Sequence, residues 1–151
     1  MIEISDFATL QQRLGQEVAV SDWLEMPQER ISQFAETTDD QQWIHVDAAR
    51  AAAESPYKTT IAHGFLTLSM LSALLRNAIK FPKRRLGINY GLNRVRFMAA
   101  VPSGSRIRGR FVPTEIKEID GGYQMVWTVT IEREGSEKPC MVAEWLTRRS
   151  E

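Results

Sequence analysis

The segment FLTLSMLSALLRNAI, residues 65–79, decides the fold of this 151-residue chain. When the segment is drawn as a helix, apolar side chains cover nearly its whole circumference, and a helix of that kind is buried in a protein interior. It is longer than an ordinary strand, and Pro82 ends the pattern. We therefore predict one long central helix that is buried on all sides.

Strand-like segments follow this helix and are separated by turn signals such as Asp120-Gly121-Gly122. The segments are 88–97, 106–111, 123–131 and 140–147. Because the connections between them are short, we expect an antiparallel meander. The sequence predicts an α+β fold, in which an antiparallel sheet wraps around the central helix and residues 1–151 form one domain.

Residues that favour helix starts predict three short helices in the first half of the chain. Asp6 can cap a helix that Gly15 ends, and Pro27 is suited to open a second one. Asp47 can cap a third helix over Ala48–Ala53.

Composition excludes several classes of function. Nineteen basic residues balance nineteen acidic ones, which argues against nucleic-acid binding and against an anionic membrane surface as partner. The single cysteine, Cys140, rules out an internal disulfide and a multi-cysteine metal site, and its apolar neighbours indicate packing. The N-terminus lacks the pattern of a signal peptide, and no apolar run is long enough to cross a membrane. We therefore expect a cytoplasmic protein that binds no metal.

The chain has two histidines, and Asp40 lies five positions before the first of them, His45. A carboxylate and an imidazole at this spacing can converge on one water molecule and activate it near neutral pH. On spacing alone, the alternative is a turn capped by Asp40 and a packing histidine. The second histidine, His63, precedes Gly64 at the start of the central helix.

Free N–H groups and the positive end of the helix dipole occur where Gly64 begins the helix. Such an N–H can hold a carbonyl oxygen that gains negative charge. The alternative role for this glycine is to permit close packing. Ser72 lies further along the helix on a stripe with Ser69 and Arg76, where a serine often bonds back to its own backbone.

Two basic groups could meet the phosphates of an anionic ligand, although both are more typical of a solvated surface. One follows Pro82 and the other alternates along a predicted strand. They are Lys83-Arg84-Arg85, and Arg106 with Arg108 and Arg110.

Four blocks resemble the MaoC-like dehydratase family in the order in which that family has them. Two of them, 38–45 with Asp40 and His45 and 61–64 with Ile-Ala-His-Gly, resemble the hydratase motif and the start of its helix. The other two, 88–97 and 135–145, resemble the NodN-like branch, which is related to (R)-specific enoyl-CoA hydratases. The resemblance extends from about Val18 to Arg148.

This resemblance implies a hot-dog fold, in which a long antiparallel sheet curls around one helix, and a homodimer. It implies reversible hydration of a trans-2-enoyl-CoA thioester to the (R)-3-hydroxyacyl thioester, with no cofactor because coenzyme A is part of the substrate. Asp40 and His45 match the catalytic pair, and Gly64 matches the glycine whose N–H holds the thioester carbonyl. Substrate-binding positions are assigned by the same resemblance to Ser72, Asn89 and His63.

One departure from the family motif lies next to the catalytic pair. Asp39 stands where glycine is usual, so we expect no positive φ there and a side chain that faces solvent. Two other functions remain open on this fold: an acyl-CoA thioesterase, and a non-catalytic acyl-CoA-binding module. The Asp40–His45 block disfavours the thioesterase, since thioesterases of this fold generally lack it.

Overall fold

The computed structural model describes residues 1–81 and 86–150. Eight strands and six helices are named here in chain order. They are β1 (Ile2–Glu3), α1 (Phe7–Gln11), β2 (Ala19–Val20), β3 (Leu24–Met26), α2 (Gln28–Thr38), α3 (Trp43–Val46), α4 (Ala48–Glu54), α5 (Gly64–Ser69), α6 (Leu71–Ala78), β4 (Ile79–Lys80), β5 (Leu86–Phe97), β6 (Ser105–Ile119), β7 (Gly122–Arg133) and β8 (Met141–Ser150).

One antiparallel sheet dominates the structure, with strands in the order β2-β6-β7-β8-β5 and with β3 also paired to β6. Strands β6, β7 and β8 form the predicted meander. Strand β5 does not join β6, its neighbour in sequence, but pairs with β8 at the far edge. Helices α5 and α6 lie on the inner face of this sheet, so the α+β architecture with a sheet around a helix is confirmed.

The central helix differs from its prediction in two respects. It is divided at Met70 into α5 and α6, and Ile79 belongs to β4, where it pairs in parallel with Ile2. Burial on all sides is also wrong for the single chain, because Phe65 is 68% exposed and Arg76 is exposed as well. The helix therefore has one face on the sheet and one face toward the outside.

The core lies between that buried helix face and alternate residues of the long strands, as the two-residue period of a strand requires. Trp127 is fully buried, its ring meets Phe111 edge to face at 6.3 Å, and its Nε1–H donates to Thr147 at 3.1 Å. Cys140 is buried in the same core, and burial raises the pKa of its thiol to about 11. The prediction that this cysteine serves packing is confirmed.

Strand β6 extends well beyond the predicted segment 106–111 and has an irregularity at Pro113. Proline has no N–H for a strand ladder, and the register shifts between Pro113 and Glu115. The strand continues beyond this irregularity to Ile119. The predicted segment therefore ended too early, because the sheet accommodates the proline within a longer strand.

The short helices agree with their caps. The Asp6 carboxylate accepts a hydrogen bond from the Thr9 N–H at 2.7 Å, and the Asp47 carboxylate accepts one from the Arg50 N–H at 2.9 Å. Pro27 lies immediately before α2 rather than inside its first turn.

The remaining two predictions are the basic group before β5 and the absence of a membrane-spanning segment. Residues 82–85, with the predicted basic group Lys83-Arg84-Arg85, lie outside the described residues. Among the helices of the described ranges, none has the length and apolar character needed to cross a membrane.

Candidate active site

Asp40 is positioned by the end of α2. The helix ends at Thr38, and Asp39 follows with φ 57° and ψ 22°, which is the left-handed conformation. The expectation that the aspartate excludes a positive φ is therefore wrong, since aspartate is one of the few non-glycine residues that tolerate this region. Asp39 is exposed, as expected, and the turn leads the chain into Asp40.

We expect Asp39→Gly to raise the free energy of unfolding by about 0.5–1 kcal/mol, because glycine adopts a positive φ without the steric cost of a β-carbon. Urea unfolding monitored by tryptophan fluorescence measures this change. Asp39→Ala is the matched variant, and it should lower stability because alanine tolerates this conformation less well than aspartate. A glycine variant less stable than the natural protein would contradict the prediction.

His45 lies in the short helix α3 and is buried. Its Nδ1 lies 2.7 Å from the carbonyl oxygen of Ile61, which only accepts hydrogen bonds, so Nδ1 carries the hydrogen. In the neutral ring this leaves a lone pair on Nε2. Gln28 supports the same helix, because its side-chain amide donates to the backbone carbonyl of His45 at 2.8 Å.

The pKa of His45 is held below its ordinary value of 6.5. Burial is the main cause, and the charge of His63 acts in the same direction. The hydrogen bond to Ile61 and the nearby Asp40 carboxylate oppose these effects without cancelling them. His45 is therefore neutral at pH 7, and its Nε2 is available as a proton acceptor.

His63 lies against His45 and completes a cluster of three residues. The two imidazole rings stack with their centroids 3.8 Å apart, and the Nε2 of His63 donates to the backbone carbonyl of Asp40 at 3.0 Å. One side-chain oxygen or nitrogen of each residue lies within 4.8 Å of the others. The structure thus brings together Asp40, His45 and His63, which lie on separate segments of the chain.

These three side chains also have the donor atoms of a metal site. The two imidazole planes are only 25° apart, so lone pairs in those planes run side by side and do not converge on one point. A tetrahedral ion such as zinc needs ligands that point toward a common centre. Binding of one ion by both rings would therefore require one ring to turn.

Gly64 is the first residue of α5, and its surroundings explain why it is a glycine. A β-carbon at this position would lie 3.1 Å from ring atoms of Phe97, on the edge strand β5. The close-packing alternative is therefore correct as a structural statement. It does not compete with the proposed chemistry, because the N–H of a first helical residue has no partner inside its helix.

Ser72 and Asn89 form a pair of their own. The Nδ2 of Asn89 donates to the Ser72 hydroxyl at 3.2 Å across a groove between α6 and β5. Ser72 is eight residues beyond Gly64 in sequence, and the helix is divided at Met70 between them. The pair lies along the groove and not within the cluster of Asp40, His45 and His63. Leu68, Tyr90 and Leu92 line the same groove.

The three arginines of β6 are paired with acidic side chains. Arg108 and Arg110 each donate to Glu132 at 2.7 Å, and Arg106 forms a two-point ion pair with Glu134. This agrees with the solvated-surface interpretation, since a phosphate would have to displace these carboxylates.

Sequence reasoning missed the residues that support the site. Phe34 meets His63 with ring centroids 5.0 Å apart, and Thr60 donates to the side-chain oxygen of Gln28. The predicted helix at Pro27 contained both Gln28 and Phe34, but its pattern did not indicate which face would meet the histidines. Phe97 was included in a predicted strand without a role.

Comparisons with known proteins identify the family of this chain. The model of the MaoC like domain family matches residues 9–134. The chain is 47% identical over 150 residues to Nodulation protein N of Rhizobium leguminosarum bv. viciae, covering 97% of this chain and 92% of that protein. It is 46% identical over 142 residues to 3-hydroxyacyl-thioester dehydratase Z of Mycobacterium tuberculosis, covering 93% of each.

Among solved structures, R-hydratase PhaJ1 of Pseudomonas aeruginosa superimposes with a TM-score of 0.69 at 24% identity, covering 91% of this chain and 82% of that one. This likeness concerns the fold. The fold and the relatives together define the class of this protein as a hot-dog hydro-lyase. Within that class, the chain belongs to the MaoC-like dehydratase family, with a relative in the NodN branch.

Proposed function

We propose that this protein catalyses reversible hydration of a trans-2-enoyl-CoA to the (R)-3-hydroxyacyl-CoA. The observation that carries the proposal is the convergence of the Asp40 carboxylate and the His45 imidazole within 4.8 Å, next to the start of α5. The related mycobacterial protein is named a 3-hydroxyacyl-thioester dehydratase, which is the same reaction in reverse.

In the forward direction, Asp40 and His45 hold one water molecule. The water loses a proton to this pair as its oxygen bonds to C3 of the enoyl group, and the electrons of the double bond move to the thioester oxygen as an enolate. The pair then returns a proton to C2, so the elements of one water are added. His45 can accept this proton because burial lowers its pKa and so keeps the ring unprotonated before the reaction. Its Nε2 takes no part in the hydrogen bond to Ile61.

We assign stabilisation of the enolate oxygen to the N–H of Gly64. It begins a helix, where unpaired N–H groups and the dipole favour negative charge. The mechanism requires no metal and no redox cofactor, because the developing charge is met by this N–H and the protons move between water, the pair and C2. Coenzyme A enters only as part of the substrate.

Ser72 and Asn89 are assigned to substrate binding through the groove that they share. The groove lies between the helix segment from Leu68 to Ser72 and strand β5, and Leu68 and Leu92 give it apolar walls. These walls suit the apolar part of an acyl chain, with Ser72 and Asn89 as polar contacts.

A second copy of the chain is the expected cover for this groove. Strand β5 pairs with β8 on one side and, among the described residues, with no strand on the other. Ile88 and Leu92 are 48% and 42% exposed on it, and a long exposed apolar edge of this kind invites pairing with another chain. We propose a homodimer in which β5 lies at the interface.

The double variant Ile88→Lys with Leu92→Lys is expected to be a monomer, because charged side chains on an edge strand oppose pairing. Light scattering after size exclusion should give twice the mass of one chain for the natural protein and a single-chain mass for the variant. Tyr57→Lys places a lysine at a similarly exposed aromatic position outside β5 and should remain dimeric. A monomeric natural protein would refute the proposed dimer.

The proposed reaction is tested by the loss of enoyl absorbance with crotonyl-CoA and a longer enoyl-CoA, in parallel with a reagent that detects free thiol. Loss of absorbance without thiol, followed by chiral analysis that gives the (R)-hydroxy product, is the expected result. Release of thiol would make the protein a thioesterase. Binding of the enoyl-CoA with neither signal would make it an acyl-CoA-binding module.

A further inference from the structure

His63 contacts both members of the proposed catalytic pair but is itself shielded from substrate. It is only 2% exposed, with Phe34 on one side and His45 on the other. Its Nε2–H donates to the backbone carbonyl of Asp40, not to the carboxylate. The contact therefore fixes the segment that carries Asp40 and leaves the carboxylate free.

The other nitrogen of His63 strengthens this interpretation. Nδ1 is buried and has no hydrogen-bond partner in the described part of the chain. A buried polar atom without a partner is unfavourable, and such atoms occur where a side chain is held for another reason. Here the reason is geometric, because the ring can stack on His45 and reach the Asp40 carbonyl only from this position.

We propose that His63 is a positioning residue, which sets the distance between Asp40 and His45 by bonding the backbone of the first and stacking on the ring of the second. This inference rests on the proposed hydratase function for its kinetic readout. It assigns His63 a role different from direct contact with substrate. The hydrogen bond and the stacked ring are separable contributions, and two variants divide them.

His63→Phe keeps a ring against His45 but removes the donor to Asp40. His63→Gln keeps an N–H close to the place of Nε2 but removes the ring. We expect His63→Phe to lower kcat by at least about tenfold with KM nearly unchanged, since small displacements of reacting groups are costly in rate. His63→Gln should recover part of this loss through the hydrogen bond, and the loss that remains measures the contribution of the stacked ring.

A second readout needs no substrate. The chain has only two histidines, so any His63 variant leaves His45 as the single imidazole in an NMR titration. The titratable groups that act on His45 are His63 and Asp40, while Gln28 and Phe34 on α2 do not ionise. Because the charge of His63 lowers the pKa of His45, both variants should move that pKa upward.

The outcomes separate this inference from the proposed reaction. Unchanged kcat in His63→Phe, or a KM increase without a kcat loss, would overturn the positioning role. A loss in His63→Gln as large as in His63→Phe would overturn the role of the hydrogen bond. Full recovery of kcat in His63→Gln would overturn the stacking contribution. An unchanged His45 titration in both variants would overturn the close contact between the two rings, even if the natural protein hydrated no enoyl-CoA. Absence of hydration by the natural protein would refute the proposed reaction alone.

Discussion

Asp40→Asn is expected to lower turnover of enoyl-CoA by at least about 100-fold and to leave the chain folded. The amide has nearly the shape of the carboxylate but cannot take a proton from water. The fold should survive because Asp40 is exposed and because its bond to His63 uses the backbone carbonyl, which the variant retains. Initial rates of enoyl absorbance loss and the thermal midpoint measure the two effects.

The neighbouring carboxylate supplies a matched control. Asp39→Asn makes the same chemical change one residue earlier, at an exposed position where asparagine tolerates the left-handed conformation. Its turnover should remain close to that of the natural protein. Equal losses in both variants would mean that the effect is one of net charge, and the assignment of Asp40 would then fail.

A similar loss of at least about 100-fold is expected for His45→Gln and His45→Asn, which remove the free Nε2. The asparagine variant is the sharper one, because its side-chain N–H lies near the place of Nδ1 and can still donate to Ile61. His45→Asn should therefore be the more stable of the two and equally inactive. Full activity in either variant would remove His45 from the mechanism.

The sequence pattern predicted the positions of helices and strands better than it predicted which strands pair. The meander of β6, β7 and β8 followed from short turns, which constrain neighbours directly. The position of β5 beside β8 did not, because it depends on a long-range pairing that local sequence does not encode. The exposure of one helix face was missed for a related reason. Apolar residues indicate that a face is buried, but they do not show whether the same chain or a second copy covers it.

The candidate site divides in the same way. Asp40, His45 and Gly64 were predicted because their residue types and spacing match a family motif and a plausible chemistry. The stacking of His63 on His45 and the support from Gln28 were not predicted, since they arise from the packing of α2 and α3 against the segment before α5. The φ of Asp39 was predicted wrongly, because the turn after α2 requires a positive φ and aspartate can adopt it.

Gly64 offers the most direct test of the proposed enolate stabilisation. Its backbone N–H can be removed by a single substitution, because proline is the one natural amino acid without a backbone N–H. Proline lacks the N–H, and its fixed φ suits the first position of a helix. The residue before it is compatible too, since His63 has ψ 140°, in the range that a following proline requires. Gly64→Pro therefore removes the donor with little disturbance of the backbone.

The steric effect of any substitution here is matched by Gly64→Ala, because both variants place a β-carbon 3.1 Å from the Phe97 ring. Combining each with Phe97→Leu relieves that contact. In this background we expect the proline variant to have a kcat 100- to 1000-fold below that of the alanine variant, about 3–4 kcal/mol in the barrier for one lost oxyanion donor. Equal rates in the two variants would mean that the Gly64 N–H does not stabilise the enolate.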